Sequence, residues 1–360
     1  MSYELCDKIR SLKPYEPITG TYPVRLDANE SYIDLPEATR KDMLDKIASE
    51  ALNRYPDPLA GKICGLFAAY HGISPDCVTA GNGSDELLSL LTQCFLMRGE
   101  RMCVVWPDFS MYSFYGRIAE ITVDVFEKRP EDFFLDADGL VRFINENGDR
   151  MVIFSNPCNP TGVGIGREDM ISIVEGCPDC LVVADEAYMD FWDQSVIGRA
   201  DKYDNLFVLR TCSKAFRMAG IRCGFAAGCR KLTDALRAVK SPYNVSSLTQ
   251  AAAEAILSRP FELHSAAWEL ESQRDDLSAR LTEIAEASGA FRVVPSCANF
   301  VYLVTESEES AGGAFEYLKE RGIIIRRFGS SLRVTAGTHE EQRLFTEAFA
   351  EYFPPHGGCE

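Results

Sequence analysis

The sequence predicts an α/β chain in which a mostly parallel central sheet is flanked by helices and followed by a smaller α+β unit. Three observations carry this expectation. Short, apolar, β-branched runs alternate with longer segments of helical period through the middle of the chain. The clearest runs, 103–106, 151–154, 181–184 and 206–209, are apolar throughout, as strands are when helices cover both faces of their sheet. Beyond residue 288 the pattern changes to strand, helix, strand.

In chain order, 85–96 reads as an amphipathic helix after a glycine-rich turn, and the four apolar runs follow as buried strands. Residues 246–257 and 269–288 read as two helices, the second long and charged on one side. Strands are expected within 291–304 and 323–335, separated by a helix over 311–321. The expected organisation is an N-terminal segment, 1–44, that joins a small C-terminal domain, 246–360, with a large domain, 45–245, between them.

The 360 residues hold 37 Lys and Arg against 54 Asp and Glu, a net charge of −17. Such a surface repels phosphate backbones and anionic lipid, so nucleic acid is not an expected partner. Anionic small molecules remain compatible, because a few local arginines and helix N-termini outweigh distant charge. Thirteen cysteines are scattered and odd in number, and no signal-peptide pattern is read, so a reducing cytoplasm is expected. No run of about 18 apolar residues exists, and no membrane span is expected. Cys177 and Cys180 have the spacing of a zinc half-site, but no second pair completes it, and a turn before a buried strand fits better. The four histidines, His71, His264, His339 and His356, lie away from every motif, so neither a metal site nor a Ser-His-Asp hydrolase is expected.

Four motifs fall where a strand gives way to a loop or helix, the edge at which open α/β sheets bind ligands. Gly81-Asn82-Gly83-Ser84-Asp85-Glu86 precedes a helix, whose free amides favour a phosphate; taken alone it reads better as a simple turn capped by Ser84 or Asp85. Ser155-Asn156-Pro157-Cys158-Asn159-Pro160-Thr161-Gly162 makes a rigid turn that can aim asparagine side chains into a cleft. Asp185-Glu186-Ala187-Tyr188 ends an apolar strand. A carboxylate there is poorly solvated and needs a cation to stay ionised, unless Asp185 simply caps the next helix. Thr211-Cys212-Ser213-Lys214-Ala215-Phe216-Arg217, with Arg222 after it, sets an amine that can form an imine beside hydroxyls and a guanidinium that can bind phosphate.

Together these motifs resemble those of fold-type-I pyridoxal-phosphate enzymes, the class I and II aminotransferases, and the similarity covers nearly the whole chain. It narrows to the histidinol-phosphate aminotransferases through Lys13-Pro14-Tyr15, Leu26-Asp27-Ala28-Asn29-Glu30, Arg54-Tyr55-Pro56-Asp57-Pro58 and Leu332-Arg333-Val334-Thr335-Ala336-Gly337-Thr338. The departure is Ser31-Tyr32-Ile33, where that family usually continues Asn-Pro-x-Gly.

The resemblance implies pyridoxal 5'-phosphate held by Lys214 as a Schiff base, with the same lysine moving the proton during transamination. Asp185 would pair with the pyridine nitrogen, Asn159 and Tyr188 with the ring hydroxyl, and Tyr112 would stack on the ring face. Ser84 and Asp85, Thr211, Ser213 and Arg222 would hold the cofactor phosphate, joined by Tyr55 from the neighbouring subunit of a homodimer. Arg333 would clamp the substrate's anionic group, with Asn29, Arg326 and Tyr15 as further substrate contacts; Arg327 is the rival of Arg326. The implied partners are a small-molecule amino donor and a 2-oxo acid, histidinol phosphate and 2-oxoglutarate. Aromatic or other amino-acid aminotransferases and a threonine-phosphate decarboxylase-like lyase are the enzymatic alternatives. A non-catalytic effector sensor is the third, although only roughly 30 residues precede the fold where such proteins carry a helix-turn-helix domain.

Overall fold

The computed structural model describes residues 3–10, 12 and 18–355. Thirteen strands occur among them: β1 Val24–Arg25, β2 Val78–Gly81, β3 Arg101–Trp106, β4 Thr122–Glu127, β5 Met151–Ser155, β6 Leu181–Asp185, β7 Leu206–Thr211, β8 Gly224–Ala227, β9 Phe291–Val294, β10 Phe300–Thr305, β11 Ile323–Ile324, β12 Arg326–Phe328 and β13 Ser331–Thr335. Seven form one sheet in the order β2-β8-β7-β6-β5-β3-β4. Its strands run parallel except β8, which is antiparallel to both neighbours. Strand order reverses between β3 and β5, the kind of crevice where such sheets bind ligands.

Both faces of this sheet are buried, as the unbroken apolar runs required. Met102, Val104, Ile153, Val183 and Leu209 pack under Leu87, Leu88 and Leu91 of the helix Gly83–Cys94. The alternate residues Cys103, Val105, Val152, Phe154, Val182 and Ala184 join Ile63 and Phe67 of the helix Gly61–His71 in a second cluster. The period-two alternation of side chains makes one strand serve both clusters.

Strands β9, β10, β12 and β13 form a separate antiparallel sheet in the order β12-β13-β10-β9. One face carries Val301, Leu303, Leu332 and Val334, packed with Leu277, Leu281, Leu318, Phe345 and Phe349 from its helices. Side chains alternate across a strand, so Phe300, Tyr302, Arg333 and Thr335 leave the opposite face. The parallel pair of β1 with β11 leads the N-terminal segment in beside this sheet. The helix Pro260–Ser288 runs through both cores, with Leu263 and Leu270 in one and Leu277 and Leu281 in the other.

The expected helices are present with shifted ends. Helix Gly83–Cys94 starts before residue 85 and helix Pro260–Ser288 before 269, the latter because Pro260 suits a first helical position. Strands β2, β4 and β8 were not expected. The first and last are short and rich in small residues, and β4 is an edge strand whose residues are half-exposed or exposed, so none shows a continuous apolar run. Cys177 and Cys180 form a turn into β6, with the Cys180 amide bonded to the Cys177 carbonyl at 3.0 Å and both thiols buried. Among the described residues no helix is long and apolar enough to cross a membrane.

Candidate active site

Three of the expected strands run one or two residues further than their apolar runs, ending in Ser155, Asp185 and Thr211. Because β5, β6 and β7 are parallel, these polar ends lie side by side at one sheet edge, with Ser155 directly opposite Asp185 in the ladder. Asp185 is 4% exposed. Its Oδ2 accepts from the Tyr112 hydroxyl at 2.8 Å and its Oδ1 from the Ala187 amide at 3.1 Å. Neither partner is charged, and burial pushes this carboxyl up to about 7, although both hydrogen bonds favour ionisation. Burial likewise pushes the Tyr112 hydroxyl well up, so it remains a donor.

Behind the sheet Glu186 points the opposite way. It accepts from the Ser195 hydroxyl at 2.6 Å and the Val196 amide at 2.8 Å, and lies 3.3 Å from the Arg210 guanidinium. The two adjacent acids thus face separate environments, one compensated by arginine and one not.

Lys214 lies in the loop after β7. Its Nζ donates to the Ala28 carbonyl at 3.0 Å and stands 5.8 Å from the centre of the Tyr188 ring. The Tyr188 hydroxyl accepts from Asn29 Nδ2 at 2.9 Å. Asn29 has φ 54°, a left-handed conformation that asparagine tolerates better than most residues. Its amide reaches Thr335 Oγ1 at 3.0 Å, and its carbonyl accepts from Asn299 at 3.1 Å. The N-terminal segment is thereby fastened between the two sheets. Beyond it, the departing residues Ser31-Tyr32-Ile33 are anchored differently: Tyr32 donates to Glu269 on the long helix at 2.8 Å.

Thr211, Ser213, Arg222 and the start of helix Gly83–Cys94 gather into a cradle. Ser213 donates its amide to Thr211 Oγ1 at 3.2 Å, the two hydroxyls are 3.0 Å apart, and Arg222 reaches Ser213 Oγ at 3.5 Å and Asp85 Oδ2 at 3.3 Å. Gly83 has φ +75°, and a Cβ on Gly224 would stand 2.5 Å from the Ser84 amide nitrogen. Only glycine at 224 lets the β8 backbone lie this close, and the result is a helix N-terminus backed by a guanidinium and two hydroxyls. Such a group of donors suits a phosphate. The helix N-cap is Asn82 rather than Ser84 or Asp85, which leaves those two residues in the first turn.

Arg333 connects the second sheet to this edge. Its Nη1 donates to Asn159 Oδ1, its Nη2 donates to the Asp27 carbonyl at 2.8 Å, and its guanidinium lies 5.3 Å from the Phe300 ring and 5.4 Å from that of Phe328. Arg326 is directly opposite Arg333 in the β12–β13 ladder, so both leave the same face. Arg327 leaves the other face, towards Gly312.

The chemistry of these donors fits pyridoxal phosphate: a buried carboxyl lacking a cation at the end of β6, an amine in the loop after the neighbouring strand β7, and a phosphate cradle beside it. Tyr112, expected to stack on the ring, lies beside Asp185 with its hydroxyl donating to that carboxyl at 2.8 Å. Tyr55 stacks on Tyr243 with ring centres 4.4 Å apart and is 81% exposed, so it lies outside this chain's own cluster. Tyr15 lies outside the described residues. Sequence reasoning missed Ser155, Thr335 and Asn299, and also Asp108 and Lys128 beneath the edge; a polar residue closing an apolar run was the signal for Ser155.

These features define a cofactor-dependent enzyme of the aminotransferase type. Residues 22–349 match the family aminotransferase class I and II, and the chain belongs to that family of pyridoxal-phosphate-dependent enzymes. A histidinol-phosphate aminotransferase of Clostridium kluyveri is 36% identical over 92% of this chain and 94% of its own length. Another, from Thermococcus gammatolerans, is 34% identical over 96% and 97%. The crystal structure of histidinol-phosphate aminotransferase from Sinorhizobium meliloti with pyridoxal 5'-phosphate shares the fold, with a TM-score of 0.87, 22% identity and coverage of 98% of both chains.

Two outcomes are expected. The folded protein without cofactor holds Asp185 with a raised pKa, so the group's stabilising contribution is complete below about pH 4 and is lost as pH rises through about 7. Thermal unfolding of the cofactor-free protein between pH 4 and 8 should show this decline, and Asp185→Asn should reduce its slope; an unchanged slope would contradict the burial argument. Gly224→Ala should weaken pyridoxal phosphate binding by about tenfold or more, the equivalent of roughly one hydrogen bond to a charged group, as measured by equilibrium dialysis.

Proposed function

We propose that the protein transfers the amino group between histidinol phosphate and 2-oxoglutarate. The observation that carries the reading is the cross-strand pair Arg333 and Arg326 on the sheet face that reaches Asn159. The similarity to curated histidinol-phosphate aminotransferases across more than nine-tenths of the chain supports it. A guanidinium grips a carboxylate or a phosphate in the same bidentate manner, so one anion site can serve the amino donor and then the oxo acid.

When bound, pyridoxal phosphate supplies an aldehyde that takes up the amino group and a ring that accepts the electrons left when the substrate Cα loses its proton. Lys214 would hold that aldehyde, and its Nζ, once freed by substrate, would take the Cα proton and hand it on to the neighbouring carbon. Asp185 holds a proton on the ring nitrogen. The apolar burial that penalises its lone carboxylate becomes an advantage once that cation pairs with it. Asn159 and Tyr188 orient the ring hydroxyl, while Ser84, Asp85, Thr211, Ser213 and Arg222 hold the phosphate. Tyr112 would flank the ring. Arg333 orients the substrate anion, with Arg326, Asn29 and Tyr15 as further contacts.

The same proposal includes a homodimer in which Tyr55 serves the partner's phosphate. Leu52, Tyr55 and Leu59, together with Tyr243 and Leu248, are large apolar side chains left exposed. Their two segments are tied together through Lys240 to the Pro58 carbonyl at 2.8 Å and Gln250 to the Asp57 carbonyl at 2.9 Å. Clustered exposed apolar groups of this kind mark interfaces. A thiol-rich chain suits the reducing cytoplasm. The large domain, expected to end at residue 245, is here extended into the helix Pro260–Ser288, because Ile256, Leu263 and Leu270 join its core while Leu277 and Leu281 join the other.

Purified protein given histidinol phosphate and 2-oxoglutarate should form glutamate, and Arg326→Ala should raise the KM for histidinol phosphate by about tenfold. Turnover of aromatic amino acids but not of histidinol phosphate, or release of carbon dioxide from threonine phosphate, would overturn the substrate assignment. Light scattering should give about twice the chain mass of 40.1 kDa; a monomer that turns over substrate would contradict the shared site.

A further inference from the structure

Beneath the edge that carries Asp185 and Asn159 lie two buried charges. Asp108 follows β3 and Lys128 follows β4; their side chains are 2% and 3% exposed, with Lys128 Nζ 3.5 Å from Asp108 Oδ2. An ion pair so fully removed from water gains little over apolar packing of the same volume. Its surroundings show what the charge is used for. Asp108 accepts the Phe109 amide at 2.7 Å, the Ser155 amide at 3.1 Å and the Ser155 hydroxyl. Three donors converging on one carboxyl suit the ionised form, which can only accept. Burial pushes the Asp108 carboxyl up, and Lys128 is the largest opposing influence.

Ser155 turns this charge into geometry. Its hydroxyl has a single proton, which goes to Asp108, so the oxygen's lone pairs are left for the Asn159 amide, which donates to it at 2.9 Å. Asn159 in turn accepts from Arg333 through its side chain. A continuous path therefore runs from Lys128 through Asp108, Ser155 and Asn159 to Arg333, crossing from β4 through β3 and β5 to the second sheet. Lys128 also donates to the Pro107 carbonyl at 3.1 Å, which fixes the near end of the path.

We propose that Asp108 and Lys128 are positioning residues that fix the direction of the Ser155 hydroxyl and through it the place where Asn159 meets Arg333. They bond to each other, Pro107, Phe109 and Ser155, not to Lys214, Asp185 or Arg333. Their effect reaches the reaction through the Asn159 backbone, which sets how its side chain is shared between the cofactor ring and Arg333. The inference rests on the roles proposed above for Asn159 and Arg333.

The test uses the full-length holoenzyme with L-glutamate as amino donor, comparing wild type with Ser155→Ala and with the charge-neutral double variant Asp108→Asn/Lys128→Met. Both variants should raise the glutamate KM by about tenfold, the equivalent of one lost hydrogen bond to a charged group, while kcat changes less. The pH midpoint at which the bound cofactor's visible absorbance changes should also move in both. Wild-type KM and an unmoved spectral midpoint in Ser155→Ala would overturn the proposal, whatever happens to thermal stability. Should the double variant fail to fold, Ser155→Ala decides alone. An inactive wild type would instead sink the functional reading, and the spectral midpoint would then decide the positioning role by itself.

Discussion

The site depends on one constraint: five neighbouring strands run parallel, so their C-terminal ends meet at a single edge. Burying both faces of that sheet requires apolar strands, and the polar groups needed for chemistry are confined to the last residue or just beyond. Asp185 is the most costly of these placements. A carboxylate at the end of a buried strand, bonded only to neutral donors, is stabilised by nothing in the chain as strongly as a cation would stabilise it. The contrast with Glu186, which has Arg210 beside it, makes the point within two residues.

The second sheet completes what the first cannot supply. Its apolar face closes a core of its own, and its other face brings Arg333 to Asn159 while Thr335 receives the Asn29 amide. Asn29 passes the connection on to Tyr188, and Ala28 receives Lys214. Lysine, tyrosine and arginine from segments far apart in sequence are thus held by one short N-terminal stretch lying between the sheets. A change in the relation of the two sheets would be felt at all three groups together, which suits an enzyme that must admit and release two different anions at one site.

Much of this was legible in the sequence. The four apolar runs gave the central strands, and the motifs at their ends gave Asp185, Lys214, Asn159 and Arg222, because buried parallel strands leave an unbroken apolar signature and the chemistry follows directly after it. Three strands of the central sheet were hidden: β2 and β8 are short and built of small residues, and the edge strand β4 carries Asp124 amid half-exposed positions. With β4 unseen, nothing marked Lys128 as the end of a strand, and its pairing with Asp108 is a contact between elements that local pattern cannot show. The placement of Tyr112 against Asp185 was hidden for the same reason. Arg326 and Arg327 were rivals in the sequence, and the β12–β13 register shows the physical difference, since neighbouring residues on a strand leave opposite faces.

The claim at the centre is that Lys214, in the loop after the strand beside Asp185, is the lysine that carries the cofactor. Borohydride reduction of the protein in the presence of pyridoxal phosphate, followed by peptide mapping, tests it directly. The expected result is a single stable pyridoxyl-phosphate label on the peptide containing Lys214. A label on another lysine such as Lys128 or Lys240, with Lys214 unmodified, would contradict it.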